Sequence, residues 1–291
     1  MVRNRWQAAL FLAPAAIILL VFSYWPVLQD VWLSFHTWNM ISPTMKFVGL
    51  QNYQQLVSGA ELSKVFINTL LYIGILVVLN FIFPYLFAFI MAHVVKKCNF
   101  FYRSALFLPS TISLAVASII FLWIFNPLAG PLQIILAGIG LESPRWFKES
   151  GLVIAAISVI IGWKVFGYNL IVMLAAMVDV PQDLIEAAKL ENASTWQLFR
   201  HIILPLTSPT ALYVFVITVI FGLQYVLVPV NMLTQGGPDQ GSTNLVYIIY
   251  QYGFVFFQTG KAAAFAVLTM LFYAGLLVLK TLLDKKVHYE N

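Results

Sequence analysis

Charge is what this chain lacks. Only 9% of its 291 residues are Asp, Glu, Lys or Arg, against roughly 25% in soluble globular domains. A water-soluble fold of this length needs a charged surface, so that class is excluded. Cysteine is nearly absent too. Cys98 is single, so no intrachain disulfide forms, and none of the usual metal-binding spacings is present. The histidines, His36, His93, His201 and His288, fall at the ends of apolar runs or between them. They offer neither a metal cluster nor a paired nucleophile and base. A phosphate-cradling loop requires Gly-x-x-x-x-Gly-Lys-Ser/Thr. The nearest approach is Gly253…Gly260-Lys261, with six residues between the glycines and Ala262 after the lysine. The chain is no ATPase on its own.

What it has instead is long apolar runs. Hydrophobic residues make up 61% of the chain, and the mean hydropathy is +0.89. A helix crossing a bilayer needs about 17–25 residues. Six runs qualify, at about 8–33, 66–95, 104–125, 151–178, 210–230 and 262–283. Pro14, Pro84 and Pro109 fall inside three of them, which a helix bundle tolerates. The first run follows Arg3 and Arg5 but is too long for a signal peptide, and ends in Tyr24-Trp25-Pro26 rather than a cleavage site. It reads as a retained helix. The expected fold is an all-α membrane protein of six transmembrane helices in a single domain, 1–291.

Arg3, Arg5, Lys96, Lys97, Arg103, Lys189, Arg200, Lys280, Lys285 and Lys286 lie on one side of these spans. Lys46, Lys64, Arg145, Lys148 and Lys261 lie on the other. The imbalance puts both termini in the cytoplasm of a multi-pass protein. It also makes the net charge of +5 topological, with no sign of nucleic-acid binding. Trp25, Trp32, Trp38 and Trp146 suit interfacial belts. The apolar segment 245–257 is short for a span and reads as an interfacial or re-entrant helix on the outer face.

The polar loop 179–206 is the most specific feature. Pro181 and Asp183 suit a helix start. Leu184, Ala187, Ala188 and Glu191 share one helical face. Asn192 suits a left-handed stop. Ser194-Thr195-Trp196-Gln197 has the spacing of a capping box. A second short helix should run from there to about Ile203, before Leu204-Pro205 returns to the membrane. Two short surface helices at an angle are expected.

Glu186-Ala187-Ala188, then Asn192, then Ile202-Ile203-Leu204-Pro205 resembles the EAA motif of permease subunits of bacterial binding-protein-dependent ABC importers. Asn192 stands where that pattern has glycine. Phe47-Val48-Gly49-Leu50-Gln51-Asn52-Tyr53 and Leu233-Thr234-Gln235-Gly236-Gly237-Pro238 resemble the carbohydrate branch, typified by the permeases for maltose and for glycerol phosphate. The resemblance implies a type I importer permease in the bacterial inner membrane. Its expected partners are a second homologous permease, two ATPase subunits that hold ATP and magnesium, and an extracytoplasmic solute-binding protein. No cofactor is expected in this chain. Glu186, Ala187, Ala188, Leu190, Glu191, Asn192 and Ala193 would form the coupling helix that docks on an ATPase.

Lys164 is the only formal charge deep inside a span, and an intramembrane charge points to a cavity, a partner or a pathway. Trp163, Gly167, Tyr168 and Asn169 surround it in sequence; Gln224 and Tyr225, and Asn80, add polar groups on other spans. These are the candidates for a sugar-like substrate. Interhelical hydrogen bonding is the competing role for the polar ones, and a carboxylate of the partner permease is a competing partner for Lys164. A secondary transporter is the functional alternative. It would need coupling acids or histidines at mid-membrane, where this chain has none; His93 lies near a span end.

Overall fold

The computed structural model describes residues 5–94 and 99–284. Arg3, Lys96, Lys97, Cys98, Lys285, Lys286 and His288, on which part of the sequence argument rests, lie outside the described residues. The helices are α1 (Ala9–Leu33), α2 (Gln51–Ser58), α3 (Ala60–His93), α4 (Phe100–Thr111), α5 (Leu114–Ile124), α6 (Pro131–Gly138), α7 (Leu152–Val178), α8 (Gln182–Leu190), α9 (Thr195–Thr234), α10 (Leu245–Val255) and α11 (Thr259–Asp284). Strands β1 (His36–Thr37) and β2 (Lys46–Phe47) form a small antiparallel hairpin.

Five helices, α1, α3, α7, α9 and the apolar part of α11, are long and apolar enough to cross a membrane. The third expected span, 104–125, is broken: α4 and α5 meet at 101°. Pro109 and the cap on α5 explain the break. Pro109 has no backbone N–H to continue the ladder, and Ser113 starts a new helix by accepting from the Val116 N–H. The second and fifth spans also run longer than expected. The short helix α10 ends at Val255, and Phe257 just beyond it takes φ 52°.

Prolines shape three other helices in one way. One widened π-turn precedes each of Pro26, Pro84 and Pro205, at Leu20–Tyr24, Val78–Ile82 and Phe199–Ile203. A proline ring collides with the carbonyl four residues earlier and cannot bond to it. A turn closed five residues back makes room for the ring. The helices therefore continue through their prolines. This corrects the expected second loop helix: it does not stop at Ile203 but runs on into the span as part of α9.

The chain divides into two compact units. The first contains residues up to Leu62 together with Ile248–Phe272. In it the FVGLQNY stretch acts as a clasp. Gly49 takes φ 57°, a left-handed value costly for residues with a Cβ. Asn52 then donates from Nδ2 to the carbonyls of Ser34 (2.8 Å) and His36 (3.0 Å). Tyr53 donates to Ser34 Oγ at 2.7 Å. The start of α11 docks here, with the Thr259 N–H on the Trp38 carbonyl at 3.0 Å. At Gly260 a Cβ would run into the His36 carbonyl.

The second unit runs from Ser63 to Tyr247 and resumes at Tyr273. Here α7 packs against α3 and α9. Tyr85, Phe89, Leu170, Met173, Leu174 and Val214 are part of its buried core. The segment that follows the LTQGGP stretch is pinned from α3: Asn68 donates to the carbonyls of Gln240 (2.9 Å) and Thr243 (3.0 Å), and Tyr72 to that of Ser242 (3.0 Å).

Candidate functional site

The loop 179–206 has the expected local chemistry. After α8 the Ala193 N–H bonds to the Ala188 carbonyl (2.9 Å) and the Asn192 N–H to the Lys189 carbonyl (3.0 Å). Asn192 sits between them at φ 56°. This is a Schellman turn, and asparagine fills the left-handed position that glycine usually takes. The capping box is also formed: Gln197 N–H donates to Ser194 Oγ at 3.3 Å, and Ser194 N–H to Gln197 Oε1 at 2.7 Å.

The face assignment needs refinement. Glu186 and Ala187 are exposed with Glu191 and Asn192, whereas Ala188 and Ala193 are half-buried. Leu190 is 84% exposed and Trp196 63%, so large apolar side chains stand in the open beside Glu186. The anchor is Ile185, only 2% exposed, which sequence spacing did not single out. It enters the core with Val180, Leu198, Phe199 and Ile203, against Tyr85, Phe89 and Met177. The loop thus shares one buried core with α3, α7 and α9.

A second constellation lies within the bundle. A cavity of about 290 Å³ is lined by Asn80, Lys164, Tyr168, Asn169, Thr218 and Tyr225, among others. It unites five of the residues expected from sequence. Trp163, Gly167 and Gln224 do not line it. Trp163 instead packs edge-on against Phe121 at 5.5 Å, and Gln224 is exposed. Gly167 makes a close crossing, where a Cβ would collide with the backbone of Leu106 and Phe107.

Lys164 meets backbone rather than acid. Its Nζ donates to the carbonyls of Ser110 (3.0 Å) and Ile112 (2.7 Å), and Ser110 Oγ donates back to the Lys164 carbonyl at 2.8 Å. Those carbonyls are freed by the α4–α5 break, and a cation suits the carbonyl end of a helix. Among the described residues Lys164 has no carboxylate partner. Pro84 contributes on the opposite wall. It leaves the Asn80 carbonyl, four residues back, without a helical donor, and Asn169 Nδ2 takes that place at 2.5 Å while also reaching Thr218 Oγ1 at 3.1 Å. The Asn80 side-chain amide and Asn169 Oδ1 remain buried without a partner. Each such orphan costs about 1–3 kcal/mol, so this cavity suits a polar occupant.

Residues 58–289 match the family described as binding-protein-dependent transport system inner membrane component. The chain belongs to that family. The permease is accordingly a transport subunit and not an enzyme, which decides against the secondary-transporter alternative. It is similar to the sn-glycerol-3-phosphate transport system permease protein UgpA of Pectobacterium atrosepticum, 27% identical over 99% of this chain and 97% of that protein. The protein of the same name from Yersinia pestis bv. Antiqua is 29% identical over 98% of this chain and 96% of that one. Among solved structures, a chain of a bacterial ABC transporter involved in the import of the acidic polysaccharide alginate matches with a TM-score of 0.82 at 22% identity, over 97% of this chain and 96% of that one. A chain of the MetNI methionine ABC transporter matches at 0.57 and 16% identity, over 82% and 99%. These two likenesses establish the type I importer permease fold.

Proposed function

We propose that this permease carries an anionic, polyhydroxylated solute through the Lys164 cavity, inward across the cytoplasmic membrane. The observation that carries this reading is the ammonium of Lys164, without a carboxylate among the described residues, in the same cavity as the unpartnered Asn80 side-chain amide and Asn169 Oδ1. One of its donors is left for an anion, the amides match hydroxyl groups, and Tyr168 and Tyr225 offer ring faces. The relatives agree: UgpA belongs to an sn-glycerol-3-phosphate transport system, and one solved transporter is involved in the import of an acidic polysaccharide.

In this reading the whole chain works as one permease domain beside a second permease, with both termini in the cytoplasm. Two ATPase subunits hold ATP and magnesium, and a binding protein delivers the solute from outside. Glu186, Ala187, Leu190, Glu191 and Asn192 form the exposed knob that an ATPase groove receives, steadied by Ala188 and Ala193. ATP-driven closure moves the loop, and the Ile185 anchor passes that motion to α3, α7 and α9. Packed elements with two arrangements can transmit such a movement.

The test is ATPase activity of the purified complex in lipid, with binding protein loaded with glycerol 3-phosphate, a uronic-acid trisaccharide or maltotriose. Stimulation by an acidic solute is the expected result. Stimulation by maltotriose alone would overturn the substrate class, and absence of any co-purifying ATPase would overturn the importer reading. Glu186→Lys should keep the permease in the membrane while ATPase co-purification falls at least tenfold; an intact, active complex would remove the docking role.

A further inference from the structure

The first unit holds a larger cavity that the transport path described above does not use. It measures about 590 Å³, within the range of about 300–1,000 Å³ common for ligand pockets. Its walls are fixed before any ligand arrives. The Thr259 N–H holds the Trp38 carbonyl, and the Asn52 amide holds the carbonyls of Ser34 and His36 behind the lining. Gly260 allows the two backbones to touch.

The groups that line this cavity have a definite chemistry. Gln51 and Gln55 present amides, and Lys46 an ammonium, and the side chains of all three make no hydrogen bond or ion pair among the described residues. Lys261 adds a second cation, 5.7 Å above the Tyr252 ring. No carboxylate is among the lining residues. The Glu61 carboxylate in this unit is engaged by the Tyr252 hydroxyl at 2.6 Å. Burial and, after it, that contact push the Tyr252 phenol well above its usual range, so its ring stays neutral beneath Lys261. Trp38 supplies a half-buried flat ring. Two cations that form no ion pair among the described residues attract an anion, free amides satisfy hydroxyls in either direction, and an indole face covers the apolar face of a sugar ring.

We propose that this cavity is a second solute site, built for a carboxylated or phosphorylated polyhydroxyl compound and separate from the Lys164 cavity. Lys46 and Lys261 bind the acid group, Gln51 and Gln55 the hydroxyls, and Trp38 the ring. Only its exposure to the outer medium rests on the proposed orientation.

Lysine reactivity reads this site directly. The complete transporter in lipid, without binding protein, is treated with an amine-acetylating reagent, and modification at each lysine is followed by peptide mass spectrometry. Millimolar uronic-acid trisaccharide should slow acetylation of Lys46 and Lys261 at least threefold, whereas maltotriose and the exposed reference Lys148 should show no change. Gln55→Leu should weaken the protection of Lys46 without changing its rate in the absence of sugar. Unchanged rates, equal protection by maltotriose, or protection that appears only with binding protein would each overturn the proposal; the last would make this a protein-docking surface. The assay needs no ATP, so its failure leaves the import reading to be judged by ATPase stimulation.

Discussion

Two cavities in this permease each place lysine among amides, and they treat it differently. Around Lys164 two donors are committed to the Ser110 and Ile112 carbonyls. Around Lys46 the ammonium touches no protein acceptor among the described residues. The difference follows from solvent. Within a membrane span neither a cation nor a freed carbonyl can turn to water, so each satisfies the other. At the hairpin, water serves an exposed lysine, and the fold need not provide for it. Lys164 is therefore architecture and, in the proposed reading, ligand chemistry as well, while Lys46 is free to act only on a ligand. Changing each wall in turn tests that separation.

The largest effect is expected at the close α4–α7 crossing. Gly167→Val places a side chain against the Leu106 and Phe107 backbone, and overpacking costs about 1–3 kcal/mol, more where the neighbour is backbone that cannot yield. Folded yield and thermal stability of the complex should both collapse, and the α4–α7 crossing should be the segment that loses hydrogen-exchange protection. A well-folded Gly167→Val protein would show that this crossing is looser than described. Next comes Lys164→Met, which removes the donor to two carbonyls at about 1–3 kcal/mol for each one left unsatisfied. Uptake should fall at least tenfold, and the unfolding temperature should fall with it. Loss of uptake at unchanged stability would assign Lys164 to the solute alone; loss of stability with normal uptake would assign it to the helix break alone.

Much of this was legible, and the exceptions share a cause. Asn192 and the Ser194–Gln197 box were readable because turn and cap chemistry is local, carried by four or five consecutive residues. The long spans were readable from apolar runs. The break at Pro109 was not, because an apolar run has no marker for bend angle and a proline inside a span is compatible with a continuous helix. Pro26, Pro84 and Pro205 illustrate this, each passed by a π-turn. The role of Lys164 depended on the same break, since the carbonyls it satisfies exist only once the helix has parted. Ile185 was missed for a different reason: a short helix with alanines on two faces gives little periodic signal. The whole Lys46 cavity joins residues from the hairpin, α2 and the start of α11, which no sequence window brings together.

The smallest structural effect is expected at Lys46, and that smallness is the informative part. Lys46→Gln removes a charge from an exposed side chain on a two-residue strand, and its neighbours lose no hydrogen bond. Surface substitutions away from packing and caps barely move stability. The hairpin pairs through backbone groups, His36 with Phe47 and Thr37 with Lys46, so the register does not depend on the ammonium. Thermal unfolding and ATPase co-purification should therefore match the unsubstituted complex. Protection of Lys261 by the uronic-acid trisaccharide should nonetheless drop at least twofold, because the acid group loses one of its two cations. A clear fall in unfolding temperature would mean that Lys46 serves the fold as Lys164 does, and the contrast between the two cavities would be lost.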